Sequence, residues 1–161
     1  MLVGVLSDTH DNVEQVEKAG KLFEERRVNA IIHCGDFITP IVLDTLSRLS
    51  VAFFGVFGNN DYKEALSSRS RAQIKDEPYR FELGGRKFFI CHHRRYIEQL
   101  EDNHQEIDIA LYGETHEPEI RQDGKCLIVN PGETCGWVTG FSTVAVIDLD
   151  NLSAEIVQLN M

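Results

Sequence analysis

The stretch Leu2-Val3-Gly4-Val5-Leu6-Ser7-Asp8-Thr9-His10 passes from an apolar run straight into a polar cluster. A short apolar run with β-branched content and no helical period predicts a strand buried on both faces. The same arrangement recurs along the chain. Residues 30–34 end in Gly35-Asp36, and residues 51–57 end in Gly58-Asn59-Asn60-Asp61. Residues 87–91 end in His92-His93, and residues 107–112 end in Gly113-Glu114-Thr115-His116. Between the first two strands, residues 12–27 put Val13, Val16, Gly20 and Phe23 on one helical face, capped by Asp11 or Asn12. Between the next two, Thr39 caps a helix that starts at Pro40 and continues over residues 41–49. Strand, helix, strand, helix, strand predicts parallel strands with right-handed crossovers.

The second half changes style. Residues 79–83 and 87–91 flank Gly84-Gly85, residues 119–122 and 125–129 flank Asp123-Gly124, and residues 141–149 and 154–159 flank Asp150-Asn151. Each is a hairpin signal. Residues 96–105 predict a short helix, and residues 61–77, the least patterned, a surface helix or loop. The expected architecture is an α/β sandwich with parallel strands early and antiparallel hairpins late, one domain over residues 1–161.

Composition excludes several classes. The 161 residues are 42% hydrophobic and 26% charged, which rules out disordered, collagen-like and coiled-coil chains. Lys+Arg 16 against Asp+Glu 26 gives a net charge of −10, so the cation surplus that holds nucleic acid or anionic lipid is missing. No apolar run approaches the ~20 residues of a membrane span, and residues 2–6 read as a first strand, not a signal peptide. The cysteines Cys34, Cys91, Cys126 and Cys135 form no CxxC pair and read as buried free thiols. A cytoplasmic protein is expected.

Glycine before the polar residue lets three of the five strands turn sharply at their ends. Asp8 and His10 are two apart, as are Glu114 and His116, so each pair faces one way in extended chain. A lone Asp after a strand is usually a turn former or cap. That explanation predicts scatter, whereas here carboxylates, imidazoles and an amide all leave the carboxyl ends of strands, where open α/β sheets place their sites. The donor set suits divalent metals, in more than the number one ion needs. His33 and His104 lie outside the pattern and read as structural or exposed.

These motifs in this order (DxH at Asp8-Thr9-His10, GD at Gly35-Asp36, GN at Gly58-Asn59, a strand-end histidine at His92, GxTH at Gly113–His116) resemble the calcineurin-like metallophosphoesterase superfamily. Together with the Asn130-Pro131-Gly132-Glu133 turn, they are most similar to its small bacterial and archaeal single-domain phosphodiesterases. The resemblance implies a four-layer αββα sandwich of two mixed β-sheets flanked by helices. It implies Asp8, His10 and His116 on one metal, Asn59, His92 and Glu114 on a second, and Asp36 bridging both. Such a dinuclear site clamps a phosphodiester and supplies a metal-bridging hydroxide for in-line attack. Mn²⁺ is the expected ion, with Mg²⁺, Ni²⁺, Co²⁺ and Zn²⁺ as alternatives.

The departures matter as much. Many relatives carry His where Asn60 stands; Asn60 can hold a phosphate but cannot pass a proton, which points to diesters over monoesters. Relatives usually carry His at Glu114, so Glu114 either ligates the second ion or turns outward while water takes its place. Asp61 reads as a helix cap. His93 and Arg94 are candidate substrate contacts, with solvated loop positions as their alternative. Catalytic roles fall to Asp36 and Asn60, and the substrate is a small phosphodiester; self-association through exposed hairpin edges is compatible with the pattern. The rival reading is a protein-binding scaffold of the same fold with a weakened metal site, as in the retromer subunit. A nuclease is disfavoured by the charge.

Overall fold

The three early strands pair as the pattern predicts. The computed structural model describes residues 1–69, 71–100 and 106–159. In it β1 (Leu2–Leu6), β2 (Ala30–His33) and β3 (Ala52–Val56) run parallel, joined by α1 (Val13–Glu25) and α2 (Ile41–Leu46). The Asn12 side chain accepts from the Gln15 N–H and caps α1, whose Val16, Ala19, Gly20 and Phe23 are buried. Gly4 is obligatory beneath that helix: a Cβ there would lie 2.7 Å from the Phe23 ring. Thr39 Oγ1 accepts from the Ile41 N–H, but the helix starts at Ile41, with Pro40 as its cap residue, and does not run to residue 49. It tightens into a 3₁₀ turn over Ser47–Leu49 and stops at Ser50, which adopts the left-handed conformation (φ 51°).

The prediction for residues 61–77 needs correction. Beside the short α3 (Lys63–Ser67) they form a strand, β4 (Ala72–Lys75), which pairs parallel with β3 at the sheet edge. Its four residues alternate between half-buried and exposed, too short a run to register as a period. The three hairpins form where expected: β5 (Tyr79–Leu83) with β6 (Arg86–Ile90), β8 (Glu119–Asp123) with β9 (Cys126–Asn130), and β10 (Thr143–Asp148) with β11 (Ser153–Gln158). Helix α4 spans Arg95–Leu100; the rest of the expected helix, with His104, lies outside the described residues. Strand β7 (Ile109–Leu111) pairs parallel with both β6 and β9.

Two mixed sheets result, ordered β11-β10-β1-β2-β3-β4 and β5-β6-β7-β9-β8. Alternation within strands assigns the layers. Val3, Val5, Ala30, Ile32, Phe54 and Val56 meet Phe88, Ile90, Ile109, Leu111 and Val129 in one core between the sheets. Leu6, Ile31 and Phe53 face the other way, onto Val16, Phe23, Val42 and Leu46 of α1 and α2. On the far side of the second sheet, Phe89, Ala110 and Ile128 pack on Ile97 and Leu100 of α4. The order helix, sheet, sheet, helix is the αββα sandwich. All four cysteines are free and buried. Among the described residues, no helix is long and apolar enough to cross a membrane.

Candidate metal centre

The parallel strands of each sheet bring their carboxyl ends to one edge, and there the polar clusters meet across the sandwich. Asp8 (after β1), Asp36 (after β2) and His92 (after β6) are buried, while His10 and His116 are about one-fifth exposed. Backbone hydrogen bonds lock the loops: Asp8 N–H to Gly35 O at 3.0 Å, His10 N–H to Asp36 O at 3.1 Å, and Gly113 N–H to His92 O at 3.1 Å. Asp8, His10, Asp36, Glu114 and His116 all have left-handed φ, between 43° and 64°. Non-glycine residues adopt that region at a cost, and such strain collects at functional sites. Close approach demands the flanking glycines: a Cβ on Gly58 would sit 2.1 Å from Asp36 Oδ1, and one on Gly113 2.0 Å from Ser7 Oγ.

The nitrogen and oxygen atoms converge without bonding one another. His116 Nε2 lies 3.6 Å from Asp8 Oδ1; His10 Nε2 lies 3.6 Å from Asp36 Oδ2 and 4.0 Å from Asp8 Oδ1; His92 Nε2 lies 3.6 Å from Asp36 Oδ2. These separations are too long for hydrogen bonds and shorter than twice a ~2.1 Å metal–ligand bond. Asp8 Oδ1 and His10 Nε2 are buried with no hydrogen-bond partner, which is rare in native proteins unless another ligand satisfies the atoms. Asp8, His10 and His116 form one group able to hold an ion, and Asp8, Asp36 and His92 another. The residues present therefore fit a divalent cation.

Two of the three histidines, His92 and His116, are oriented from behind. His92 Nδ1 contacts Cys34 O at 2.8 Å, and His116 Nδ1 contacts Glu133 Oε2 at 2.8 Å, so both rings carry the proton on Nδ1 and present the Nε2 lone pair to the centre. Burial pushes the Asp8 carboxyl up; His92, the Ser7 hydroxyl (2.6 Å) and His116 oppose that without cancelling it. A cation at Asp8 Oδ1 would offset this desolvation. His33 accepts the Gly35 N–H on Nδ1 (3.1 Å), contacts Thr9 Oγ1 on Nε2 (3.0 Å) and stacks on Phe37. Burial holds it well below the usual histidine range, and it is structural, as expected.

The other five predicted site residues are Asn59, Asn60, His93, Arg94 and Glu114. Asn59 and Glu114 are exposed, and Glu114 joins neither grouping. Glu114 Oε2 accepts the Arg94 N–H at 2.8 Å, at the start of α4. Asn60 turns toward Asp36, its N–H on Oδ1 at 3.0 Å and its side-chain Nδ2 on Oδ2 at 2.8 Å. Asp61 is a turn organiser: its carboxylate accepts from the Asp36, Ile38 and Gly58 N–H groups. Arg94 extends along α4 and pairs with Glu98 at 3.3 Å. His93 lines a groove of about 860 Å³ that also includes Asn59, Phe57, Tyr62 and Tyr96.

Two acidic residues escaped the sequence reading. Glu77 Oε2 accepts the N–H groups of His92 (2.6 Å) and His93 (2.9 Å), and its Oε1 pairs with His93 Nδ1. Nothing in the sequence near residue 77 marks it. Glu133, fully buried, receives His116 Nδ1, Cys135 Sγ (3.2 Å), the Val138 N–H (3.0 Å), the Thr139 N–H (2.5 Å) and the Thr139 hydroxyl (2.7 Å). Burial alone raises such a carboxyl; the bonds from Thr139, His116 and Cys135 outweigh it and hold Glu133 at about 2. Cys135, pushed up to about 12 mainly by burial, stays a thiol donor. His116, Glu133 and Cys135 are thus a hydrogen-bonded set behind the centre. The Asn130–Glu133 turn was the only sequence signal.

An αββα sandwich with carboxylates and imidazoles meeting at the shared carboxyl edge is the build of a metallophosphoesterase. The chain belongs to the calcineurin-like phosphoesterase superfamily, whose domain it matches over residues 1–152. It is 33% identical over 156 residues to phosphodiesterase MJ0936 of Methanocaldococcus jannaschii, covering 93% of this chain and 94% of that protein. A solved archaeal phosphodiesterase superposes with a TM-score of 0.91 at 30% identity, covering 99% of this chain and all of the other. Zinc-bound Vps29 from Entamoeba histolytica shares the fold at a TM-score of 0.70 and 19% identity, over 99% of this chain and 100% of that one.

Proposed function

We propose that this chain is a divalent-metal-dependent phosphodiesterase acting on a small phosphodiester from a dinuclear centre. The observation that carries the reading is the pair of orphaned buried atoms, Asp8 Oδ1 and His10 Nε2, inside a converging set of carboxylates and imidazoles. The phosphodiesterase relative at 33% identity over nearly the whole chain supports the same activity here. Asp8, His10 and His116 would hold one ion, and His92 with Asn59 and Glu114 the other, Glu114 exchanging its contact with the Arg94 N–H for the ion. Asp36 would serve both, its Oδ2 lying 3.6 Å from His10 Nε2 and from His92 Nε2. When bound, such ions, Mn²⁺ on this reading, neutralise phosphate charge and make water a hydroxide nucleophile near neutral pH.

The protein's own groups do the rest. Glu133 and the Cys34 carbonyl keep the proton of His116 and His92 on Nδ1, so each Nε2 stays a donor of electrons. Asn60, already held against Asp36, orients a phosphate oxygen through its amide and carries no titratable proton. His93, which lines the neighbouring groove, and Arg94 are the remaining candidate substrate contacts. The buried reduced cysteines suit a cytoplasmic enzyme working as one domain.

The test is hydrolysis of bis-p-nitrophenyl phosphate and p-nitrophenyl phosphate by chelated protein with and without Mn²⁺. Restoration by Mn²⁺, with the diester faster than the monoester, is expected. Background rates with every divalent ion, in folded protein, favour the scaffold reading instead. That rival draws on Glu114 facing the Arg94 N–H and on the exposed apolar side chains beside the centre.

A further inference from the structure

We propose that Trp137 is a specificity-determining residue, a platform on which a planar aromatic ring carried by one ester arm of the substrate stacks; this rests on the phosphodiesterase reading above. Trp137 is the sole tryptophan of the chain and is 65% exposed. Its ring centre lies 6.2 Å from that of His10, tilted by 35°, and His10 in turn stacks on His116 at 5.8 Å. An indole left in water at the lip of a polar centre is unusual, because a ring of that size contributes most when covered. Val138 (72% exposed) and Phe141 (58% exposed) continue the same loop.

The loop is held, not loose. Glu133 takes the Val138 and Thr139 N–H groups and the Thr139 hydroxyl, and Thr139 Oγ1 accepts the Phe141 N–H at 3.2 Å. Gly136 and Gly140, at φ 70° and 81°, make the tight turns that close it, and a Cβ on Gly136 would sit 2.4 Å from Ser142 Oγ. The carboxylate that orients His116 therefore also fixes the backbone that presents Trp137. A phosphate at the centre puts its ester arm within reach of the indole, with little ordering cost for the loop. A ring on that arm gains a stacking surface that an alkyl group cannot use to the same extent. With Lys+Arg 16 against Asp+Glu 26 the chain has no cation surplus to track a polynucleotide, which favours a ring carried by a small molecule.

The experiment compares two ligands with the same phosphate, adenosine 5′-monophosphate and ribose 5-phosphate, by calorimetry on the Mn²⁺-loaded full chain, with tryptophan fluorescence recorded alongside. Adenosine monophosphate should bind about 5- to 10-fold tighter, near the lower end of base–aromatic stacking, and should quench Trp137. Trp137→Ala should abolish the difference while ribose 5-phosphate binds within about twofold of before, and Trp137→Phe should keep most of it. Equal affinities in the unmodified protein, or a preference that survives Trp137→Ala, would overturn the platform. So would a fluorescence change that tracks protein concentration and sedimentation as a larger species, which assigns the loop to self-association. Hydrolysis of bis-p-nitrophenyl phosphate by the same preparation tests the phosphodiesterase reading separately: an active enzyme with equal affinities sinks the platform alone.

Discussion

Glu133→Gln isolates the residue that ties the centre to the loop. The substitution keeps the shape and removes the charge. Five donors point at the carboxylate; a glutamine offers one oxygen and turns an NH₂ toward the others, leaving buried donors unpaired. Folding lowers the carboxyl from 4.5 to about 2, so the charged form is favoured by about 3 kcal/mol in the folded state, at ~1.4 kcal/mol per pKa unit. A depressed pKa contributes stability that is fully present above the unfolded value. It declines as pH falls through the window from about 4.5 to about 2 and is lost below the folded value. Urea unfolding of chelated protein should therefore show Glu133→Gln less stable by about 3 kcal/mol at pH 7, with the gap under half as large near pH 3. Metal affinity should fall as well, by about 10- to 100-fold, because His116 loses the acceptor that fixes its tautomer. Equal urea midpoints at pH 7, or a gap that does not narrow in acid, would refute the charge-based account.

Two further outcomes bear on the ligands. Asp36→Asn removes the charge placed between His10 and His92 and sets an amide against the Asn60 donors. Activity should fall by orders of magnitude, and the rise in Tm on adding Mn²⁺ should shrink; two tightly held ions in this variant, measured by metal analysis, would remove Asp36 from its shared role. Glu114→His replaces the oxygen that accepts the Arg94 N–H with an imidazole better suited to Ni²⁺. Ni²⁺ should bind more tightly by titration, and the metal-free protein should lose up to about 1 kcal/mol as α4 loses that acceptor. Unchanged Ni²⁺ affinity would show that position 114 does not reach the metal.

Much of this protein was legible in one dimension because burial on both faces leaves a mark there. Val3–Leu6 or Ile109–Leu111 can be apolar throughout only between two layers, and parallel order aligns the carboxyl ends within each sheet, so Asp8 falls beside Asp36 in one sheet and His92 beside His116 in the other. The glycine turns at Gly84-Gly85 and Asp123-Gly124 set the late hairpins for a local reason, their backbone requirement. Tertiary structure decided what depends on neighbours remote in sequence. Strand β4 exists because the β3 edge offers a partner, and its alternating exposure is too short to announce itself. Glu77 and Glu133 are ordinary acids in the sequence; each becomes an organiser only when folding aims backbone N–H groups and a histidine ring at it. The direction of Glu114, toward the Arg94 N–H, was likewise open in the sequence, since a flexible carboxylate goes to whichever donor the fold delivers. Residue type and strand position determine which atoms can reach the centre, whereas which of them point into it depends on hydrogen-bond donors arriving from elsewhere in the chain.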